Sequence, residues 1–318
     1  MNRREFGRSV ASVAAAAAAG TVTSAMPSAD AAQSKDAGGT APFKLSIMLW
    51  TVFRGQPFSQ RLDKVAEAGY HAVELVDEFK EWKKEDFAAA RRKKSELRME
   101  IDACCGVWQT LADAGDRDAF LKNLREFVPT MRELECTRLV MQTGNAVPGL
   151  SREAMHGNCI ETLKRGGEIA AQNGIELLVE NIDPEENPKY FLTSCVEGFE
   201  IVRAVGNPHV KFLNDFFHEQ IAEGNMIEKI EKNIDLVGLV HIADVPGRHE
   251  PGTGEIYYPN IYKKLSELGY DRYVAMEFMP TGEPVAALRT AREMAMKFGA
   301  VQHKQSSIEI PGRSYATA

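Results

Sequence analysis

Two hydrophobic rhythms alternate along the chain. Short, nearly continuous apolar runs are separated by longer stretches whose apolar positions recur every three to four residues. The short runs, at 44–53, 72–76, 99–107, 138–142, 175–180, 210–215, 236–241 and 273–277, predict strands buried on both faces. The periodic stretches, at 57–69, 85–97, 116–134, 152–173, 193–205, 225–234, 259–268 and 283–298, predict helices. Phe58, Leu62, Val65 and Ala66 share one face of the first. Phe120, Leu124, Phe127, Met131 and Leu134 form a stripe along the third. Gly174, Gly206 and Gly269 stand where helices should stop. Eight strand–helix units across 43–300 predict an α/β fold of the (β/α)₈ TIM barrel class. A doubly wound sheet is the alternative that this alternation leaves open.

Four consecutive strands end in a ligand-type residue: Glu180, Asp215, His241 and Glu277. In a barrel every strand's C-terminal end lies on the face that carries active sites, so the four tips should converge. Each residue has a bland alternative. A rim glutamate is often solvated, Asp215 can simply cap the next turn, and a lone histidine is often a satisfied core residue. The joint pattern favours a metal centre. Three carboxylates and one imidazole suit one divalent ion of Mn, Mg, Co or Zn. Such an ion polarises a carbonyl and stabilises an enediolate. The free oxygen of a ligated glutamate can take a proton from carbon, which makes Glu180 and Glu277 the acid–base candidates.

The loops add weaker candidates. His218 and Arg248 can touch substrate, although each could equally be an ordinary loop polar residue, and Glu186 on its own reads more readily as solvated than as functional. His249 can support a ligand. Trp50 and Trp108 can wall the pocket or merely pack.

Composition narrows the function classes. The 318 residues are 44% hydrophobic and 26% charged, with net charge −7, an ordinary globular balance. The one dense basic run is 91–94, and phosphate binding needs a broad basic face, so no nucleic-acid partner is expected. Five cysteines without framework spacing read as packed thiols, with Cys104 and Cys105 on opposite faces of a strand. Residues 1–31 read as a signal peptide: Asn2-Arg3-Arg4-Glu5-Phe6 resembles the twin-arginine motif, with Gly7-Arg8 where Leu-Lys is usual. A short alanine-rich run and Ala29-Asp30-Ala31 follow, and that run is too weak for a stable membrane anchor. Export to the periplasm is expected. Residues 32–42 read as a linker and 301–318 as a frayed tail.

Three segments carry a family likeness: 188–192, 215–224 and 245–251, with shorter matches at Gly254-Glu255-Ile256 and Leu268-Gly269-Tyr270. Over 43–300 the chain resembles the sugar-isomerase-like barrels, which include hydroxypyruvate isomerase, ketose 3-epimerases, xylose isomerase and endonuclease IV. Hydroxypyruvate isomerase is the nearest in pattern. The resemblance implies a metal held by Glu180, Asp215, His241 and Glu277, with Glu180 and Glu277 moving protons. It implies substrate contacts at Glu186, His218 and Arg248. The chain departs from hydroxypyruvate isomerase at His241, where that family has glutamine, and at Glu185, where it has arginine. The loss of that cation weakens the case for hydroxypyruvate and brings sugars forward.

The expectation is therefore a metal-dependent isomerase of a small sugar or hydroxy-keto acid, working through an enediolate and compatible with a homo-oligomer. A keto-sugar 3-epimerase or lyase on the same site is the first alternative. An exported, non-catalytic sugar-binding barrel comes next, which need not retain a metal. A nuclease of the endonuclease IV type fits poorly with an acidic chain.

The export reading is testable directly. Changing Arg3 and Arg4 to lysine should leave the protein in the cytoplasm with its N-terminal segment uncleaved. Normal periplasmic delivery of that double variant would overturn the twin-arginine reading.

Overall fold

Eight parallel strands close into a barrel in chain order, with β1 pairing both β2 and β8. They are β1 (Lys44–Met48), β2 (Ala72–Leu75), β3 (Glu100–Cys104), β4 (Arg138–Gln142), β5 (Glu176–Glu180), β6 (Val210–Asp215), β7 (Val237–Ile242) and β8 (Tyr273–Met276). The helices between and after them are α1 (Phe58–Glu67), α2 (Lys84–Leu97), α3 (Arg117–Leu134), α4 (Arg152–Asn173), α5 (Cys195–Val205), α6 (Phe216–Ala222), α7 (Met226–Asn233), α8 (Tyr258–Glu267) and α9 (Pro284–Gly299). This computed structural model describes residues 40–300. The expected signal peptide, residues 32–39 of the expected linker, and the tail lie outside the described residues.

Alternation along each strand sorts side chains into two cores. Val73 and Leu75 point outward and join the layer between barrel and helices. Ala72 and Val76 belong to the inner cluster with Met48, Val140, Leu178, Leu213, Leu239 and Ala275. The helices supply the outer layer from one stripe each. On α3, Phe120, Leu124, Val128, Met131 and Leu134 are buried, each contributing about 1.5–3 kcal/mol. Phe127, expected on that stripe, is half-buried at its edge. Gly174 ends α4 in the left-handed region at φ 65°, where its N–H reaches the last carbonyls. All five cysteines are buried. Among the described residues no helix is long and apolar enough to cross a membrane.

Besides the third strand, which stops at Cys104 short of the expected 107, two elements differ from the sequence expectation. The first strand stops at Met48, and Leu49–Thr51 forms a 3₁₀ turn. The Arg61 guanidinium takes the carbonyls of Leu49 and Val52, which holds the chain out of the sheet. The second is α6, which starts directly after Asp215 where a loop was expected. Asp215 Oδ1 accepts the N–H of Phe217 at 2.8 Å, so the aspartate caps this helix.

Two buried acids interrupt the barrel interior. Glu74 and Asp102 are 0% and 1% exposed. The β2–β3 register passes from Val73–Ile101 to Glu74–Ala103, so Asp102 is one extra residue, a bulge. Ser46 Oγ donates to Asp102 at 2.8 Å. Burial, reinforced by the Glu74 charge, pushes the Asp102 carboxyl up to about 7 against the opposing pull of Ser46 and Arg138.

This sets a pH dependence. The folded value lies above the unfolded one, so Asp102 contributes stability at low pH that is lost as pH rises through about 7. Asp102→Asn removes the titration and keeps an acceptor for Ser46. Between pH 5 and 8 the native protein should lose on the order of 2–3 kcal/mol more than the variant, measured by urea unfolding. Parallel pH profiles would mean that Asp102 is ionised throughout.

Candidate metal centre

The strand register builds the site. Asp215 and His241 are Cα partners across β6 and β7, and Glu180 ends the neighbouring β5. Glu277 follows β8 directly, with its N–H on the carbonyl of Ile242 at 3.0 Å. One ligand atom from each of Glu180, Asp215, His241 and Glu277 lies within 4.8 Å of the others, and all four residues are buried. The tips thus converge as the alternation of strands and helices implied.

His241 is clamped between carboxylates. Its Nδ1 is 2.8 Å from Glu277 Oε2 and 3.7 Å from Glu180 Oε1. Its Nε2 is 2.8 Å from Glu74 Oε2, on the opposite side of the ring. Burial alone would lower its pKa, but the Glu74 and Glu277 charges outweigh it and hold the imidazole well above the usual range.

Arg248 supplies the second buried cation. Its Nη2 lies 3.2 Å from Asp215 Oδ2 and 3.1 Å from Glu277 Oε2, and Nη1 donates to Glu186 Oε2 at 2.5 Å. Nη2 is also 3.2 Å from His218 Nε2. His218 Nδ1 faces Asp183 Oδ2 at 2.6 Å, and Asp183 Oδ1 in turn accepts the N–H groups of Glu185 and Glu186. Glu186, His218 and Arg248 therefore adjoin the carboxylates as one continuous polar wall. Asp183, Glu186 and His218 also form a second, more open group of ligand-type atoms.

The two outer glutamates differ in their surroundings. Burial would raise Glu277, but Arg248 and His241 outweigh it and hold its carboxyl far below the usual range. Trp50 Nε1 donates to its Oε1 at 2.8 Å. Glu180 has only the 3.7 Å contact with His241 among the described ion pairs, and burial pushes it up to about 7 despite the opposing pull of His241. Three buried carboxylates with one under-paired member match the donor set of a divalent ion.

The loop that carries Arg248 is organised by Asp244, which is fully buried. Its carboxylate accepts the N–H groups of Val245, Gly252, Gly254 and Ile256 at 2.8–3.0 Å. Gly254 is required here, because a Cβ would lie 2.0 Å from the carbonyl oxygen of Val245. Met279 N–H donates to Arg248 O at 2.7 Å, and His249 Nδ1 meets Met279 O at 2.8 Å, away from the carboxylates. Trp108 is 53% exposed, whereas Trp50 reaches Glu277 through its indole N–H.

Sequence reasoning passed over Glu74, Asp183 and Asp244. Glu74 had a visible signal, a lone charge in the middle of a run expected to be buried on both faces. Asp183 and Asp244 had none, because their partners are backbone groups of folded loops and a histidine on α6.

The sequence profile of the xylose isomerase-like TIM barrel family matches residues 62–297, and the chain belongs to that family. A Danio rerio relative provisionally named hydroxypyruvate isomerase is 31% identical over 268 residues, covering 80% of this chain and 96% of its own. A 2-oxo-tetronate isomerase from Cupriavidus necator is 30% identical, covering 77% of this chain and 96% of its own. Among solved structures, a Brucella melitensis protein named as a family 2 AP endonuclease superposes with TM-score 0.70 at 28% identity, over 78% of this chain and 96% of that one. On this kinship the chain is an isomerase.

Loosening the Arg248 loop should be separable from unfolding the barrel. Asp244→Ala leaves four N–H groups without their acceptor, each costing about 1–3 kcal/mol where it stays buried. Amide exchange across 244–256 should quicken by at least tenfold while β5 and β6 keep their protection. Unchanged exchange in that loop would show that Asp244 does not organise it.

Proposed function

We propose that this isomerase is metal-dependent and interconverts small hydroxy-carbonyl compounds, a short 2-oxo-3-hydroxy acid or a ketose, through an enediolate. The observation that carries the reading is the convergence of Glu180, Asp215, His241 and Glu277 beside Arg248 and His218. Relatives named for hydroxypyruvate and for 2-oxo-tetronate support a substrate with a carbonyl next to a hydroxyl-bearing carbon. The twin-arginine-like start supports export of this enzyme as part of the same reading.

Glu180, Asp215, His241 and Glu277 would hold the ion. When bound, it would supply a positive charge that polarises the substrate carbonyl and steadies negative charge on the neighbouring oxygens. The remaining chemistry belongs to side chains. Arg248 can donate two parallel N–H bonds to a substrate carboxylate or hydroxyl once it exchanges a carboxylate partner for the ligand. His218, fixed by Asp183, points Nε2 into the same space and can hold a substrate oxygen. Glu180 is the proton carrier favoured by its surroundings, since its weak pairing and raised pKa suit a group that both takes and returns a proton near neutral pH. Glu277, held by Trp50, His241 and Arg248, is suited to be the second, less basic carboxylate. Return of the proton to the neighbouring carbon gives isomerisation. Return to the same carbon from the other face gives epimerisation.

Two experiments decide. Asp215→Ala and His241→Ala should each strongly reduce bound divalent metal while the barrel stays folded, because ligands at strand tips lie above the packed core. Elemental analysis showing full metal in both variants would rule out this ligand set. Glu180→Gln and Glu277→Gln keep one ligand oxygen and lose the basic one. Each should lower turnover by at least about 10²-fold. In deuterated water, Glu180→Gln should also stop label entering the carbon next to the carbonyl. Wild-type turnover in both metal-loaded variants would remove the two-glutamate mechanism, and the position of the label in the native product separates isomerase from epimerase.

A further inference from the structure

β2 carries one charge inside an otherwise apolar run. Val73 and Leu75 face the helices, while Ala72 and Val76 face the barrel interior beside Leu178, Leu239 and Ala275. By strand alternation Glu74 shares that interior face. It is 0% exposed. Its Oε1 has no hydrogen-bond partner, and its Oε2 is 2.8 Å from His241 Nε2. Holding an ion in such a layer costs several kcal/mol, and an apolar side chain of similar volume would fill it at lower cost. Core packing therefore does not account for a carboxylate here.

What the carboxylate does is act on one atom. A neutral imidazole carries its proton on one nitrogen and a lone pair on the other, and the group facing one nitrogen decides which is which. Glu74 lies 167 residues from His241 in the chain and meets it from the far side of the barrel. The opposite nitrogen, Nδ1, is the one that faces Glu277 and Glu180. Without an ion the ring carries a proton on both nitrogens, each facing a carboxylate. When an ion takes one nitrogen, a carboxylate on Nε2 keeps the proton there and fixes the ring plane, so Nδ1 is the nitrogen freed for the ion.

We propose that Glu74 is a positioning residue that holds His241 as the Nε2–H tautomer and so presents Nδ1 to a divalent ion. The inference rests on the metal-dependent reading above and adds a fifth side chain, outside the four ligands, to the centre. Glu74 touches neither substrate nor ion in this arrangement. It acts only through His241. A residue that merely neutralised a buried imidazolium would favour the form that cannot bind an ion, so its removal would leave metal affinity equal or stronger rather than weaker.

The test uses the full chain, stripped of metal and titrated with Zn²⁺ against a chromophoric chelator. Glu74→Leu should weaken zinc binding by about 10–100-fold. Glu74→Gln, whose amide oxygen still accepts from Nε2–H, should retain affinity to within about tenfold of the native protein. Nitrogen NMR of the zinc-loaded native protein should show His241 protonated at Nε2 with zinc on Nδ1. Glu74→Gln should keep that signature, and Glu74→Leu should lose it. Zinc affinity of Glu74→Leu equal to native within about twofold, or stronger, or zinc on Nε2 in the native protein, overturns the proposal. If Glu74→Leu does not fold by circular dichroism, the NMR assignment of the native protein and Glu74→Gln decides alone: zinc on Nδ1 in both supports the role, and zinc on Nε2 in either overturns it. A native protein that takes up no zinc, manganese or cobalt refutes the metal-dependent reading itself, and this inference with it. Native metal binding with an unaffected Glu74→Leu refutes only the role of Glu74.

Discussion

Three carboxylates and an imidazole are packed at one end of a barrel, each at most 5% exposed, because the strand register leaves them no other place. Like charges this close and this dry repel strongly. The arrangement persists only if positive charge is brought to it. The chain does so twice, with His241 from inside the barrel and Arg248 from a loop above it. Much of the local architecture follows from delivering those cations. Glu74 holds the far side of His241. Asp244 gathers four backbone N–H groups so that the 244–256 loop returns to the rim with Arg248 aimed down. Asp183 fixes His218 beside that guanidinium. The charge balance leaves room for a divalent cation, which is the physical basis for the proposed cofactor.

The barrel was legible because its grammar is local. A strand buried on both faces is a short apolar run, a helix is a 3.6-residue stripe, and a glycine such as Gly174 marks where one ends. The four strand-tip residues were legible for the same reason, since each closes such a run. The first strand was overextended because Trp50 continues its apolar pattern, and only the distant Arg61 turns the chain at Leu49. The helix after Asp215 was missed, although capping by Asp215 had been weighed as its bland alternative. That capping is present: Oδ1 accepts from Phe217, while Oδ2 faces Arg248. Asp244 and Asp183 stayed hidden because what defines them is a loop folding back, which no periodicity records.

The interior acids show how far an apolar lumen can be specialised. In most of this barrel the middle layer is Val140, Leu178, Leu213, Leu239 and Ala275. On the β2–β3 side it is Glu74 and Asp102, with the Asp102 bulge admitting the second of them. Burial raises both carboxyls, and the Glu74 charge raises Asp102 further. Such a pair weakens the fold it sits in. Its location directly below His241 ties that cost to the rim above rather than to packing.

The same logic separates two residues of one type. Glu180 and Glu277 stand at equivalent strand ends and are equally buried. Glu277 meets an indole N–H, an imidazole and a guanidinium, so its negative charge is fully answered and its basicity is low. Glu180 meets one ring nitrogen at 3.7 Å, and the same burial therefore works against its charge. An enediolate mechanism needs a carboxylate that releases and recovers a proton near neutral pH, and the surroundings of Glu180 suit it to that role better than those of Glu277. The asymmetry is set by Arg248, from outside the strand tips, and by His241, which lies nearer Glu277 than Glu180. Substitution of Arg248 should therefore redistribute the roles of the glutamates without touching either one.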